Sequence, residues 1–118
     1  MVISNQGLFF IKIDRVPNTD IFKLKQTSKD FFEKEAVRGA FEYKEGKFIL
    51  LINGTNKIRF FDKEKEKEDT FLKLHNLSDE TSYRCLQPFP GYDYEKLPFV
   101  LIKDSISLSV INTKTMKQ

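Results

Sequence analysis

The chain has 118 residues, 40% of them hydrophobic and 31% charged, a balance typical of one globular domain and not of a disordered or fibrous chain. Twelve phenylalanines stand beside one histidine, one cysteine and no tryptophan, so the chain is rich in residues that pack and poor in the usual catalytic groups. A net charge of +3 and a pI of about 8.9 are less basic than expected for a dedicated nucleic-acid-binding domain.

The N-terminal segment and the cysteine content indicate where the chain resides. Residues 1–10 contain no basic region, and their apolar run is too short for a signal peptide or a membrane span. A lone cysteine, Cys85, cannot form an intrachain disulfide, which is consistent with a reducing compartment. We therefore predict a cytoplasmic chain with no transmembrane segment and no membrane partner.

The first extended segment is predicted at residues 8–15. These residues are β-branched and aromatic, and Pro17 follows them closely, which is typical of a strand and the turn that ends it. Residues 19–26 fit either a helical turn or a short edge strand.

A helix is predicted over residues 27–37. Thr27 or Ser28 can cap its first turn, and Asp30 completes an approximate capping box. Gly39 provides a residue at which such a helix can end. The helix would bury its pair of phenylalanines against a sheet.

Residues 40–62 contain two turn signals that separate three apolar runs, and they predict a three-stranded meander. A four-residue loop at 53–56 places Ile49 opposite Phe60 and Leu51 opposite Ile58 on one buried face. That predicted core face consists of Phe41, Tyr43, Ile49, Leu51, Ile58 and Phe60. The reverse face of the same strands consists of Glu42, Phe48, Leu50, Ile52, Lys57, Arg59 and Phe61.

The second half of the chain predicts further short elements. The alternating charges of residues 63–69 indicate a solvated connector or a first helical turn. Residues 70–77 and 78–86 are predicted as short helices, although the second stretch also alternates as a strand would. Residues 87–98 form a proline-rich loop, and two final strands are predicted at 99–103 and 106–110.

Together these elements predict an α+β fold in one small domain. We expect an antiparallel β-meander of about five to six strands with one or two packed helices. The domain is predicted to cover residues 1–111, and residues 112–118 are predicted to form a flexible polar tail.

The residues that carry most enzyme chemistry are scarce. His75 and Cys85 lie ten residues apart in a segment of uncertain structure, which is weak support for a nucleophile and its base. The sequence has no zinc, EF-hand, P-loop, dinucleotide-binding or Gly-x-Ser-x-Gly motif. We therefore predict no enzymatic activity, no catalytic residue, no cofactor and no metal.

The reverse face of the meander is one candidate binding surface. Phe48 and Phe61 could stack on bases while Lys57 and Arg59 meet phosphates, as in proteins that bind single strands on a sheet. The alternative is that the predicted helix or the last strands cover the apolar residues and leave the two cations at the rim.

The proline-rich loop is the second candidate surface. Phe89, Tyr92 and Tyr94 give it more aromatic area than a connector needs, and ordered aromatic loops are common at protein interfaces. The alternative is that these rings fold back on their own core. The sequence therefore predicts a small non-enzymatic protein-binding module, such as an adaptor, an inhibitor or an accessory subunit of a larger complex. The second hypothesis is a nucleic-acid-binding domain or ribonucleoprotein component.

Overall fold

The computed structural model describes residues 1–52, 57–75, 85–103 and 107–118, and within these ranges the protein contains strands and no helix. The predicted α+β class with packed helices is therefore wrong. The strands are β1 (Val2–Ser4), β2 (Gly7–Phe9), β3 (Ile11–Arg15), β4 (Phe22–Gln26), β5 (Val37–Lys44), β6 (Lys47–Ile52), β7 (Lys57–Asp62), β8 (Lys67–Lys73), β9 (Cys85–Pro88), β10 (Phe99–Lys103) and β11 (Leu108–Asn112).

The segment predicted as the best helix is irregular, and its central residue pairs with a distant strand. Phe31 and Leu8 exchange two backbone hydrogen bonds, with N–O distances of 2.8 and 2.9 Å. Phe32 and Lys34 have φ values of 53° and 67°, which lie in the left-handed region and are incompatible with a right-handed helix. The capping signals were thus overridden by a tertiary contact that buries the Phe31 side chain.

The helix predicted at 70–77 is also wrong where the structure describes it. The charged run turns at residues 63–66, and the chain then continues as β8, which pairs antiparallel with β7. A bulge between Phe60 and Phe61 shifts the register of this pair. Most of the helix predicted at 78–86, residues 78–84, lies outside the described ranges. Its last two residues, from Cys85, belong to the strand β9 instead.

The chain divides into two compact units, Met1–Val37 and Arg38–Gln118. The first unit contains the hairpin β1–β2 and the hairpin β3–β4. Leu8 and Phe10 are buried, and the Phe10 ring meets the Phe31 ring edge to face at 6.2 Å between centroids. The predicted boundaries of a domain at 1–111 and a tail at 112–118 are not tested by this division and stay a prediction.

The second unit contains a four-stranded sheet in the order β5-β6-β7-β8 and a three-stranded sheet in the order β11-β10-β9. The predicted register of the central hairpin is confirmed, because Ile49 pairs with Phe60 and Leu51 with Ile58. All four side chains are buried, as expected for large apolar residues on one face of a sheet.

The two sheets of the second unit contribute to a common core. Its buried members are Tyr43, Ile49, Leu51, Ile58, Phe60, Leu74, Ile102 and Ile111. Residues from β10 and β11 therefore pack with the predicted core face of the meander, as the inner faces of two stacked sheets do.

The C-terminal residues form contacts within the second unit. Asn112 forms an isolated bridge with Lys117, and the Gln118 amide exchanges hydrogen bonds with the backbone of His75 at 2.6 and 3.0 Å. The two strands predicted at 99–103 and 106–110 correspond to β10 and to β11, which lies two residues later than predicted, and the two strands pair antiparallel.

Candidate protein interface

The hairpin β3–β4 is the most exposed element of the first unit. Its strands pair with Ile13 opposite Leu24 and Arg15 opposite Phe22. Directly opposite residues of an antiparallel pair share a face, so these residues lie on one side of the hairpin. We call the apolar hairpin face the surface formed by Ile11, Ile13, Phe22 and Leu24.

Three of the four side chains of this face are exposed in the described structure. The exposed fractions are 59% for Ile13, 57% for Phe22 and 66% for Leu24, and Ile11 is half-buried. All five residues of β4 are exposed, so neither side of that strand contributes to a core. A two-stranded hairpin without a packed face is marginally stable in water, so additional interactions must hold it in shape.

The tip of the hairpin supplies part of this stabilisation. The Arg15 guanidinium donates to the Thr19 carbonyl at 2.7 Å and to the Asp20 carboxylate at 3.1 Å. The Thr19 hydroxyl donates to the Val16 carbonyl at 2.9 Å, and Asn18 adopts a left-handed φ of 62°. Asparagine tolerates this conformation well, so the turn is compatible with its sequence.

The other side of the hairpin is charged. Lys12 lies opposite Lys25, and Asp14 lies opposite Lys23. Lys12 also approaches Asp14 at 3.8 Å between Nζ and Oδ1, with both side chains more than half exposed. Such an exposed ion pair adds little stability. Lys23 and Lys25 are both exposed, so β4 presents two accessible ammonium groups on this side.

The aromatic loop predicted to bind protein folds back on the second unit. The Tyr92 hydroxyl donates to the Tyr43 carbonyl at 2.8 Å and lies 2.7 Å from the Thr113 hydroxyl, which is fully buried. The Tyr92 ring also packs edge to face on Phe41 at 4.7 Å between centroids. Burial raises the pKa of Tyr92, and the Thr113 hydrogen bond opposes that rise.

The other two loop aromatics are also partly buried. The Phe89 ring packs against Phe99 at 5.7 Å, and the Tyr94 ring packs against Tyr43 at 6.3 Å between centroids. Two ammonium groups lie over the Tyr94 ring, those of Lys44 at 5.0 Å and Lys114 at 5.8 Å. The three predicted contact residues thus lie close in the fold, and their rings already have intramolecular partners.

The predicted nucleic-acid surface does not present its aromatic residues. Phe48 and Phe61 pair across β6 and β7, and their exposed fractions are 6% and 1%. Arg59 donates to both carboxylate oxygens of Glu68, at 2.9 and 2.7 Å.

Lys57, the fourth predicted nucleic-acid residue, lies over the ring of Phe71 at 4.6 Å. The basic and aromatic groups of this face are therefore present, but the two predicted phenylalanines cannot stack on a base in this conformation.

A partly exposed polar cluster lies at one end of the four-stranded sheet. Lys47 forms ion pairs with Asp62 at 2.9 Å and Asp69 at 3.1 Å, and these hydrogen bonds raise the pKa of its ammonium group. The bond from Lys47 is the main cause that lowers the pKa of Asp62. Burial raises the pKa of Tyr43 to about 12, and its hydroxyl has no hydrogen-bond partner among the described residues.

The residues most often used in catalysis are dispersed. His75 is exposed and Cys85 is a half-buried free cysteine. Among the described residues, no group of three His, Cys, Asp or Glu side chains is arranged to hold a metal ion. The described segments also contain no helix long and apolar enough to cross a bilayer.

The apolar hairpin face is the feature that sequence reasoning missed. The signal was present, since apolar and charged residues alternate through Ile11-Lys12-Ile13-Asp14 and again through Phe22-Lys23-Leu24-Lys25. This period of two is typical of a strand with one wet and one apolar side. The pattern could not show that the apolar side would stay uncovered.

Comparison of the chain with protein-family models, curated protein sequences and solved structures returns no significant match. The function must therefore be inferred from the exposed and buried residues of this chain.

Proposed function

We propose that the chain is a small non-enzymatic protein-binding module that acts as an adaptor, inhibitor or accessory subunit through the apolar hairpin face. The observation that carries this proposal is the exposure of Ile13, Phe22 and Leu24 on a hairpin whose strand β4 is exposed on both sides. Large apolar side chains clustered on an exposed surface mark sites where another protein binds.

Energetics support a partner that covers this face. Burial of one large apolar side chain contributes about 1.5–3 kcal/mol, and these three side chains are already fixed on a hydrogen-bonded scaffold. A partner would therefore gain apolar burial without having to order the surface that it binds. The same contact would stabilise a hairpin that is marginal by itself.

The positions of the other candidate residues favour a protein over a nucleic acid. Phe48 and Phe61 are buried and Arg59 is ion-paired with Glu68, so single-strand stacking on that face would require rearrangement.

A photo-crosslinking experiment tests the proposal directly. Benzoylphenylalanine replaces Phe22 in one protein and Phe71, an equally exposed phenylalanine on β8, in the control protein. In a nuclease-treated lysate of the source cells, we expect a discrete protein crosslink from position 22 and none from position 71. Equal crosslinking from both positions, or none from position 22, would contradict the proposal.

A pair of substitutions then tests the face itself. Ile13→Ser together with Leu24→Ser should remove the crosslink from position 22. Both side chains are more than half exposed, so the melting temperature of the chain should change little. The matched control is Lys12→Ser with Asp14→Ser, on the charged side of β3, which should preserve an apolar contact. A crosslink that persists in the Ile13 and Leu24 variant would refute this assignment.

A further inference from the structure

The hydrogen-bond pattern of the hairpin determines which backbone groups face outward. At the tip, the Val16 amide donates to the Ile21 carbonyl at 2.9 Å, so these two residues form a bonded pair. Bonded and non-bonded pairs alternate along an antiparallel ladder. The next pair, Arg15 with Phe22, is therefore non-bonded, and the backbone N–H and C=O of Phe22 point away from β3.

The other end of the hairpin gives the same alternation of hydrogen-bonded and non-bonded pairs. The Thr27 amide donates to the Phe10 carbonyl at 2.9 Å, which marks a bonded pair there. By alternation, Leu24 and Gln26 also direct their backbone groups away from β3. No strand pairs with this outer edge of β4 in the part of the chain that the structure describes.

The side chains of β4 add a chemical pattern to this open edge. Phe22 and Leu24 lie on the apolar hairpin face, and Lys23 and Lys25 lie on the charged side. A strand that pairs with β4 would place alternate residues beside the two apolar side chains and the remaining residues beside the two ammonium groups.

We infer that β4 binds an extended segment of a partner protein, in which apolar and acidic residues alternate, by addition of that segment as a third strand. The inference rests on the proposed protein-binding function and names its mode and its partner chemistry. Backbone hydrogen bonds would provide affinity, and the match of acids to Lys23 and Lys25 would provide specificity.

Charge also argues against a second copy of the chain as the occupant of this edge. A symmetric antiparallel pair of β4 strands centred on Leu24 would place Lys23 of each copy opposite Lys25 of the other. Like charges directly opposite on a sheet are destabilising, and edge lysines are a common means by which proteins prevent self-pairing. An acidic strand converts this repulsion into attraction.

A synthetic peptide that alternates valine and glutamate is the probe. We expect saturable binding by fluorescence anisotropy, together with slowed amide hydrogen exchange at Phe22 and Leu24. A peptide that alternates valine and glutamine, and one with the valines and glutamates in separate blocks, are the matched controls and should bind more weakly. Equal affinity for all three peptides would overturn the inference.

Charge reversal on β4 tests whether the two lysines select acidic partner residues. A misfolded variant would lose binding to every peptide, whereas a folded one should exchange its preference for one peptide charge for the other. With Lys23→Glu and Lys25→Glu, binding of the glutamate peptide should weaken by more than the roughly 2- to 30-fold expected from loss of two cross-strand charge pairs, because two like-charge pairs replace them. A peptide that alternates valine and lysine should bind this variant more tightly than it binds the wild type. Unchanged preference for the glutamate peptide would refute the role of the two lysines.

Backbone methylation of the peptide tests strand addition. Within an added strand, only alternate amides donate to β4, and the others point away. N-methylation of either all valines or all glutamates should therefore abolish binding in one peptide and spare it in the other. Equal binding by both peptides would overturn strand addition.

The outcomes also separate this inference from the proposed function. If the Phe22 crosslink depends on Ile13 and Leu24 but the peptides do not bind, the partner docks on the apolar face without adding a strand. If neither experiment gives binding, the proposed function itself fails. A chain that dimerises in sedimentation experiments, and whose dimer is lost with Leu24→Pro, which removes an outward-pointing N–H of β4, would identify a second copy as the occupant and overturn the inference.

Discussion

Three tyrosines of the second unit provide a matched test of its hydrogen bonds. Tyr92→Phe removes the hydroxyl that donates to the Tyr43 carbonyl and contacts the Thr113 hydroxyl, at 2.8 and 2.7 Å. Thr113 is fully buried and keeps an acceptor in the Pro98 carbonyl at 3.1 Å, so the principal loss is the partner of the Tyr43 carbonyl.

The expected cost of Tyr92→Phe follows from that loss. A buried polar group left without a partner costs about 1–3 kcal/mol, while the aromatic contact with Phe41 is kept. For a unit of this size, such a change lowers the melting temperature by roughly 4–24 °C. Circular dichroism melts and urea titrations measure both quantities.

Tyr94→Phe is the control, because the Tyr94 hydroxyl makes no hydrogen bond with the described residues while its ring is similarly placed in the loop. We expect this change to alter stability by less than about 0.5 kcal/mol. Equal effects of the two substitutions, or a neutral Tyr92→Phe, would show that the Tyr92 hydroxyl does not hold the loop on the sheet.

Two further predictions use contrasting positions. Tyr43→Phe should stabilise the unit by about 1–2 kcal/mol, because it removes a buried hydroxyl that has no partner among the described residues. Burial raises the pKa of Tyr43 to about 12, above its value of about 10 in an unfolded chain. Between these pH values the unfolded tyrosine loses its proton while the folded one keeps it. The free energy of unfolding of the wild type is therefore unaffected by this group below pH 10 and falls as the pH rises towards 12. The advantage of Tyr43→Phe in urea titrations should therefore grow between about pH 10 and 12, and a constant or shrinking difference would contradict the burial of this hydroxyl. Gly7→Ala should cost about 3 kcal/mol or more, because its Cβ would lie 2.2 Å from the Phe31 carbonyl oxygen and its φ is 112°. Gly46→Ala, with a φ of 73° and no atom within 4 Å of the new Cβ, should cost only about 1–2 kcal/mol, and equal costs in urea titrations would exclude the Gly7–Phe31 contact.

The sequence determined the parts of the fold that local signals specify. The turn signals and apolar runs of residues 40–62 were sufficient to place Ile49 opposite Phe60 and Leu51 opposite Ile58. The apolar runs near the C-terminus likewise predicted the β10–β11 pair. In these hairpins the partner strand is adjacent in sequence, so the loop length and the period of two fix the pairing.

Only the tertiary structure decided the conformation of residues 27–37 and the use of the aromatic residues. The segment has a helical cap, yet Phe31 pairs with Leu8, because contacts between distant residues outweigh small differences in local propensity. Tyr92 and Phe22 are both aromatic residues, but the first folds onto its own sheet and the second remains exposed. Composition shows that a side chain can bury apolar area, whereas only the packing of the whole chain shows which side chains are left for a partner.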